Sequence, residues 1–283
     1  MNTKNNGVAR YYSRFGSWAG YNMVLGRSQH AGYWTSETKN ERQAQANFLR
    51  MFAKEPQLNP TDRVLDAGSG QGVMARHLIQ ANGGGEVIGI TITPREVKIS
   101  EKLSRHMNPA PRFVLGDYSH TDFPDEHFDV VYVNETLSHA KDMRATMQEF
   151  YRILKPGGRV VFADYEVDAR HMSARQQHMM DFLEQHAGGF GVRQQNPGEI
   201  SQALQQAGFT DISETDWTEA VMPTYHRLRS LARPFAWIQP DAKLAPFFVN
   251  AVMASHGYST LYEAGLFRYL LYKGTKPLAR RAK

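Results

Sequence analysis

"VLDAGSGQG", Val64 to Gly72, decides the fold. Apolar β-formers run into an acid and then into glycines at every second position, after which "GVMARHLIQANG" (72–83) carries helical spacing. A strand that turns sharply into a helix through residues without side chains brings bare backbone to the carboxyl edge of a sheet, where ligands approach. The spacing is G-x-G-x-G rather than G-x-G-x-x-G, and alone it is weak evidence for any nucleotide.

Outward from this turn, residues 62–165 alternate short β-branched runs with helical patterns, the signature of βαβ units. "RVLDAG" (63–68), "EVIGITIT" (86–93), "PRFVLGD" (111–117), "FDVVYVN" (128–134) and "RVVFADY" (159–165) read as strands. Helices 72–83, 94–107 and 141–154 lie between them, the second opened by Pro94 and the third stopped by "KPGG". "FTDISETDWT" (209–218) and "LFRYLLYKG" (266–274) bring the strands to seven. The expected fold is α/β, a Rossmann-like, doubly wound, mostly parallel seven-stranded sheet.

Residues 1–50 read as a helical arm covering one sheet edge, and 51–283 as the main domain. Within that domain 62–165 is a cofactor half, 166–274 a substrate-side half and 275–283 a basic tail. The aromatic and Met-rich block 219–262 reads as a helical lid inserted before the last strand; it contains Tyr225, Phe235, Trp237, Phe247, Phe248, Tyr258 and Tyr262, which at helical spacing are core material first.

The chain has 283 residues, a net charge of +5 and no cysteine. The missing cysteine removes disulfides, thiolate metal sites and cysteine nucleophiles, and fits a reducing cytoplasm. Because "KGTKPLARRAK" (273–283) holds much of the positive excess, the body is nearly neutral, which argues against a nucleic-acid partner. No apolar run reaches a membrane span and the N-terminus lacks a secretory pattern, so a soluble chain without membrane insertion is expected. His30, His120, His127, His171, His178, His226 and His256 show no metal-ligand spacing, and no metal is assigned. No G-x-S-x-G elbow appears.

Taken together, "VLDAGSGQG", "GITITPREV", "LGDYSHTDFPDEHFDVVYVNET" and "LKPGGRVVFAD" resemble, in order and spacing, the blocks of class I S-adenosylmethionine-dependent methyltransferases, over residues 30–165. "QHAGYW" (29–34), Thr after the second strand and "NETLSHA" after the fourth look like the subgroup of sterol, tocopherol and cyclopropane-fatty-acid methyltransferases. "YYSRFGSWAGYNMVLGRSQHAGYW" (11–34) is most similar to the teleocidin-type enzymes that methylate carbon on a prenyl-indole.

The resemblance implies an enzyme that uses S-adenosyl-L-methionine and leaves S-adenosyl-L-homocysteine. Gly68, Gly70 and Gly72, with Ser69 between them, would lie against methionine and ribose, with Asp66 at the amino-acid end. Tyr33 and Trp34 would cover the methionine. Thr91, Ile92 and Glu96 would take the ribose and adenine edge, Glu96 standing where relatives have Gln. Asp117 and Tyr118 would hold the adenine, and the Asn134 backbone the methionine. The acceptor is expected to be a hydrophobic, prenylated small molecule, methylated on carbon with cyclisation as a further step. The alternatives are methylation on oxygen or nitrogen, or a cofactor-binding scaffold without transfer.

Each residue also has a plainer reading. Tyr33 and Trp34 suit a hydrophobic staple, Thr91 a strand and Asp117 a turn. Glu135 suits a helix N-terminus and His139 the surface. Because both lie at the carboxyl end of a central strand, Glu135 and His139 are assigned to the acceptor side as base or pocket wall, with Tyr21 as a third candidate. The N-terminal arm is a candidate contact between subunits.

Overall fold

The computed structural model describes residues 28–278 except 29, 82–84, 188–191, 241 and 244–247. Seven strands form one sheet: β1 Val64–Ala67, β2 Val87–Thr91, β3 Arg112–Leu115, β4 Phe128–Asn134, β5 Leu154–Val167, β6 Thr210–Asp216 and β7 Phe267–Thr275. Their order is β3-β2-β1-β4-β5-β7-β6. The first five are parallel, while β7 runs antiparallel between β5 and β6. This is the expected doubly wound, mostly parallel sheet.

The described helices are α1 Glu41–Lys54, α2 Val73–Ala81, α3 Pro94–Ser104, α4 Met143–Ile153, α5 Ala174–Ala187, α6 Glu199–Ala207, α7 Thr218–Ala232, α8 Val249–His256 and α9 Tyr258–Glu263. Local chemistry sets several ends. The Asn40 side chain accepts the Gln43 amide at the start of α1, Asp142 accepts Ala145 N–H at the start of α4, and Gly208 closes α6 at φ +101°.

Every residue of β1 and β2 is buried, as helices on both faces require. The alternation of side chains divides the core in two. Val64, Val130 and Tyr132 pack with Phe48 and Phe52 of α1, Leu78 of α2 and Val221 of α7. Leu65, Ile88 and Val131 pack with Met147 and Phe150 of α4 and Leu204 of α6. The edge strand β6 is charged and almost wholly exposed, which discourages pairing with another sheet.

Two boundaries differ from the sequence reading. α1 runs through the division at 50/51 and buries Phe48 and Phe52 in the main core, so from residue 41 the arm is structurally part of the domain. β5 begins at Leu154 rather than 159, because "KPGG" bulges, with Gly157 at φ +79°, and the chain stays bonded to the end of β7: Gly157 N–H donates to Lys276 O and Lys276 N–H to Gly158 O, both at 2.8 Å. The described residues of 219–262 form most of α7 and all of α8 and α9, with Val221, Val252 and Leu261 in the core, in line with the reading of this block as core material first. Residues 1–27, which include Tyr21 and the part of the arm proposed as a subunit contact, lie outside the described residues, as do Phe247 and the tail from 279. No described helix is long and apolar enough to cross a membrane.

Candidate active site

After β1 the chain turns through Gly68, Gly70 and Gly72 at φ +80°, +50° and +72°. The Gly68 and Ser69 amides donate to the Ile90 carbonyl at 3.0 and 2.9 Å, tying the turn to the end of β2. A Cβ on Gly68 would stand 2.5 Å from Thr136 Cγ2, and one on Gly72 2.5 Å from Phe113 Cζ. The turn therefore requires glycine for both conformation and space.

Around it are buried polar atoms that no protein group satisfies: Asp66 Oδ2, Ser69 Oγ, Thr93 Oγ1 and Asn134 Oδ1. Buried polar groups are ordinarily paired, so this concentration marks a place built for a polar ligand. Asp66 is pushed up to about 7 by burial, opposed by the Ala75 amide and the Arg76 charge. A carboxyl in that state gains by meeting a cationic ligand group. Unpartnered acceptors and donors beside a bare-backbone turn fit the amino-acid and ribose parts of S-adenosylmethionine.

The other cofactor candidates divide. Thr91 Oγ1 donates to Glu96 Oε2 at 2.7 Å, both residues being buried, and Ile92 is half-buried between them. Asp117 Oδ1 accepts the Ser119 amide at 2.9 Å, the turn arrangement of its plainer reading. The Tyr118 hydroxyl donates to the Thr136 carbonyl at 2.6 Å, and its ring lies 5.9 Å from that of Phe150. It braces the loop after β4 and sits in the core. Tyr33 stacks edge-on against Trp217 at 5.0 Å, and Trp34 Nε1 donates to Thr224 Oγ1 at 2.9 Å, which docks this pair on α7.

On the acceptor side, Glu135 takes φ +49° as β4 ends, a left-handed conformation that costs a non-glycine residue about 1–2 kcal/mol. Its amide donates to Ala163 O at 2.8 Å. Its Oε1 accepts from the Ala31 amide at 2.7 Å and from the Tyr269 hydroxyl at 2.9 Å. Burial pushes its carboxyl up to about 8; the Ala31 and Tyr269 donors oppose this and the Asp164 charge adds to it. No cationic side chain among the described residues pairs with it. His139 closes the 3₁₀ turn Leu137–His139, half-buried, and is not among the hydrogen-bond partners of the Glu135 carboxyl.

Four tyrosines meet on this side of the sheet: Tyr225 and Tyr258, which the sequence reading placed in the aromatic lid, and Tyr165 and Tyr269, which it did not single out; Tyr269 is the one bonded to Glu135. Tyr258 donates to Tyr165 Oη at 2.7 Å, and their ring centroids are 4.7 Å apart. Tyr225 lies 5.4 Å from Tyr258 and 5.5 Å from Phe267, its buried hydroxyl without a partner. Burial holds the phenols of Tyr165, Tyr225 and Tyr269 well above their ordinary range, so all remain protonated. Alternation in "FRYLLYKG" places Tyr269 on one face with Phe267, but only the antiparallel register, Tyr165 opposite Tyr269, brings it to Glu135.

A shallow cleft of about 300 Å³ between Asp125, Tyr151, Arg152 and Lys276 lies at the amino ends of the strands, on the edge away from this site. Among the described residues no cluster of His, Asp or Glu has metal-binding geometry.

The family model of the methyltransferase domain matches residues 36–214. The S-adenosyl-L-methionine-dependent Diels-Alderase iccD of Talaromyces variabilis is 26% identical over 282 residues, 95% of this chain and 94% of that protein. The sterol 24-C-methyltransferase of Debaryomyces hansenii is 32% identical over 162 residues, 56% of this chain but only 41% of that protein. The cyclopropane synthase MmaA2 from Mycobacterium tuberculosis has the same fold, with a TM-score of 0.81 at 14% identity over 98% of this chain and 99% of that one. The chain belongs to the methyltransferase domain family, and it is an enzyme whose cofactor is S-adenosylmethionine.

Proposed function

We propose that this enzyme methylates an alkene carbon of a hydrophobic, prenylated small molecule, a terpenoid or indole-terpenoid. The carrying observation is Glu135, an acid held by Tyr269 and the Ala31 amide beside the Tyr165, Tyr225, Tyr258 and Phe267 rings, with no cationic side chain among the described residues paired to it.

The bound cofactor supplies an electrophilic methyl group on a sulfonium. The protein's own tasks follow from what addition to an alkene leaves behind, a positive charge on the acceptor. Tyr225, Tyr258 and Phe267 present ring faces that stabilise such a charge. Ionised Glu135 takes the proton whose loss restores a double bond, and Tyr269 and the Ala31 amide keep that carboxylate aimed. His139 lines the mouth. Asp66 and the Gly68–Gly72 turn with Ser69 hold the cofactor's amino-acid and ribose parts, the Asn134 backbone its methionine, and Thr91, Ile92 and Glu96 its ribose edge. Asp117 takes the adenine amine, Tyr33 and Trp34 close over the methionine, and Tyr118 supports the site from the core.

A second reading, cyclisation of a polyene at the same site, is favoured by the relative matched along nearly its whole length, which is named a Diels-Alderase. Methyl-labelled cofactor incubated with prenyl-indole, sterol, polyene and phenolic acceptors separates the readings. Label on carbon supports methylation of an alkene, label on a heteroatom sinks it, and an unlabelled cyclised product supports the second reading.

A further inference from the structure

Asp164 is wholly buried on β5, behind the turn that carries Glu135. Asn134 is paired with Ala163 in the parallel register, so Glu135 and Asp164 are the next residues along two adjoining strands. Asp164 Oδ2 accepts the Leu137 amide at 3.0 Å. Its Oδ1 accepts the Tyr165 amide at 2.9 Å and Gln195 Nε2 at 3.1 Å. Gln195 is itself fully buried and fixed through its carbonyl, which accepts Val167 N–H at 2.8 Å. A turn can be clamped by a neutral Asn or Ser, whereas a buried carboxylate has a high desolvation cost. The charge therefore calls for a reason beyond the clamp, and the neighbouring acid provides one.

We propose that Asp164 is a positioning residue for Glu135: its ionised carboxylate locks the Thr136–Leu137 turn that holds Glu135 in its left-handed conformation, and its charge disfavours ionisation of Glu135 beside it. This rests on the reading of Glu135 as the proton acceptor. Two adjacent buried carboxyls resist carrying two charges, and the one with more amide donors ionises first. Asp164 has the Leu137, Tyr165 and Gln195 donors, with the Thr136 amide also facing it; burial pushes it up only to about 6, against about 8 for Glu135.

Among the described residues no Lys or Arg is paired with either carboxyl. Tyr118 from the loop after β3, Tyr165 on β5, Tyr225 on α7, and Tyr269 and Tyr272 on β7 are phenols held above their ordinary range by burial. His30, in the segment that reaches Glu135 through Ala31, is held down at about 4 and is neutral; His139 is on the turn itself. Asp164 thus makes Glu135 a stronger base that is ionised in a smaller fraction of molecules.

The test is a carboxyl ¹³C NMR titration of the full chain labelled at Asp and Glu, with Glu135 assigned by its loss in Glu135→Gln. Glu135 is expected to titrate above pH 7, and Asp164→Asn to lower its midpoint by about one pH unit, a tenfold change in proton affinity. Because Asp164 ionises first, beside a still neutral Glu135, its own midpoint should stay in place in Glu135→Gln; Asp164→Ser, which keeps an oxygen for the Leu137 amide, carries the test if Asp164→Asn does not fold. A displacement below about 0.3 pH unit in a folded variant, well under the roughly tenfold coupling that marks interacting sites, overturns the proposal. Turnover of Glu135→Gln is read separately. Full turnover removes Glu135 from the chemistry and leaves the coupling standing, whereas an inactive Glu135→Gln without coupling removes Asp164 alone.

Discussion

The Tyr269 hydroxyl donates to Glu135 Oε1 at 2.9 Å across 134 residues of sequence, and the same oxygen accepts the Ala31 amide at 2.7 Å. One carboxyl oxygen thus ties together the end of β4, the final strand and the segment leading into α1. The other oxygen has no hydrogen-bond partner among the described residues.

If Glu135 is the base, only its ionised form works. Because its carboxyl lies near 8, turnover should rise about tenfold per pH unit from pH 6 and level off above pH 8. Glu135→Gln should lower kcat by about 10²–10⁴-fold and abolish the rise, with S-adenosylhomocysteine affinity little changed. A pH-independent kcat in the parent enzyme would rule the role out.

Tyr269→Phe removes a donor that favours the ionised carboxyl, so the midpoint of the same profile should move to higher pH. At pH 7 this appears as a drop in kcat that recovers at higher pH. A uniform loss at every pH would mean that Tyr269 acts by packing instead.

Asp66 gives a linkage prediction. Its carboxyl is raised from 3.8 to about 7, so the folded protein holds this proton more tightly than the unfolded chain. That contribution to stability is complete below pH 3.8 and is lost as pH rises to 7, at about 1.4 kcal/mol for each pH unit between the two values and so several kcal/mol at most. Asp66→Asn should flatten this part of the stability profile. Cofactor binding near pH 6.5 should also release up to about one proton, read by calorimetry in buffers of differing ionisation heat, and Asp66→Asn should release none.

Much of this arrangement is legible in the sequence, and the rest has physical reasons for not being so. The run Val64–Gly72 announces the strand, the turn and the cofactor edge because each depends on local chemistry. Tyr225 and Tyr258 are legible as lid aromatics, but Tyr165 and Tyr269 are not, since their place beside Glu135 depends on β7 entering antiparallel between β5 and β6. Tyr118 shows the opposite case: its place in the motif suggested an adenine contact, while its hydroxyl is committed to the Thr136 carbonyl. The 50/51 division has no local signal behind it, since α1 continues from Glu41 to Lys54 across it.

Gly68→Ala and Gly265→Ala separate backbone strain from crowding. Both sites have positive φ, +80° and +71°, but an added Cβ meets Thr136 at Gly68 and nothing within 4 Å at Gly265. Thermal unfolding should show a cost of about 1–2 kcal/mol at Gly265 and a larger one at Gly68. Weaker cofactor binding should accompany only the Gly68 change. Equal costs and equal affinities would mean that the turn yields easily.

The most direct measurement is ¹³C NMR of the product formed from a prenylated acceptor with [methyl-¹³C]-S-adenosylmethionine, for the parent enzyme and Glu135→Gln. A new carbon–carbon coupling at the former alkene, absent with the variant, is the expected result. A labelled methyl on oxygen or nitrogen, or full carbon methylation by Glu135→Gln, would contradict the account.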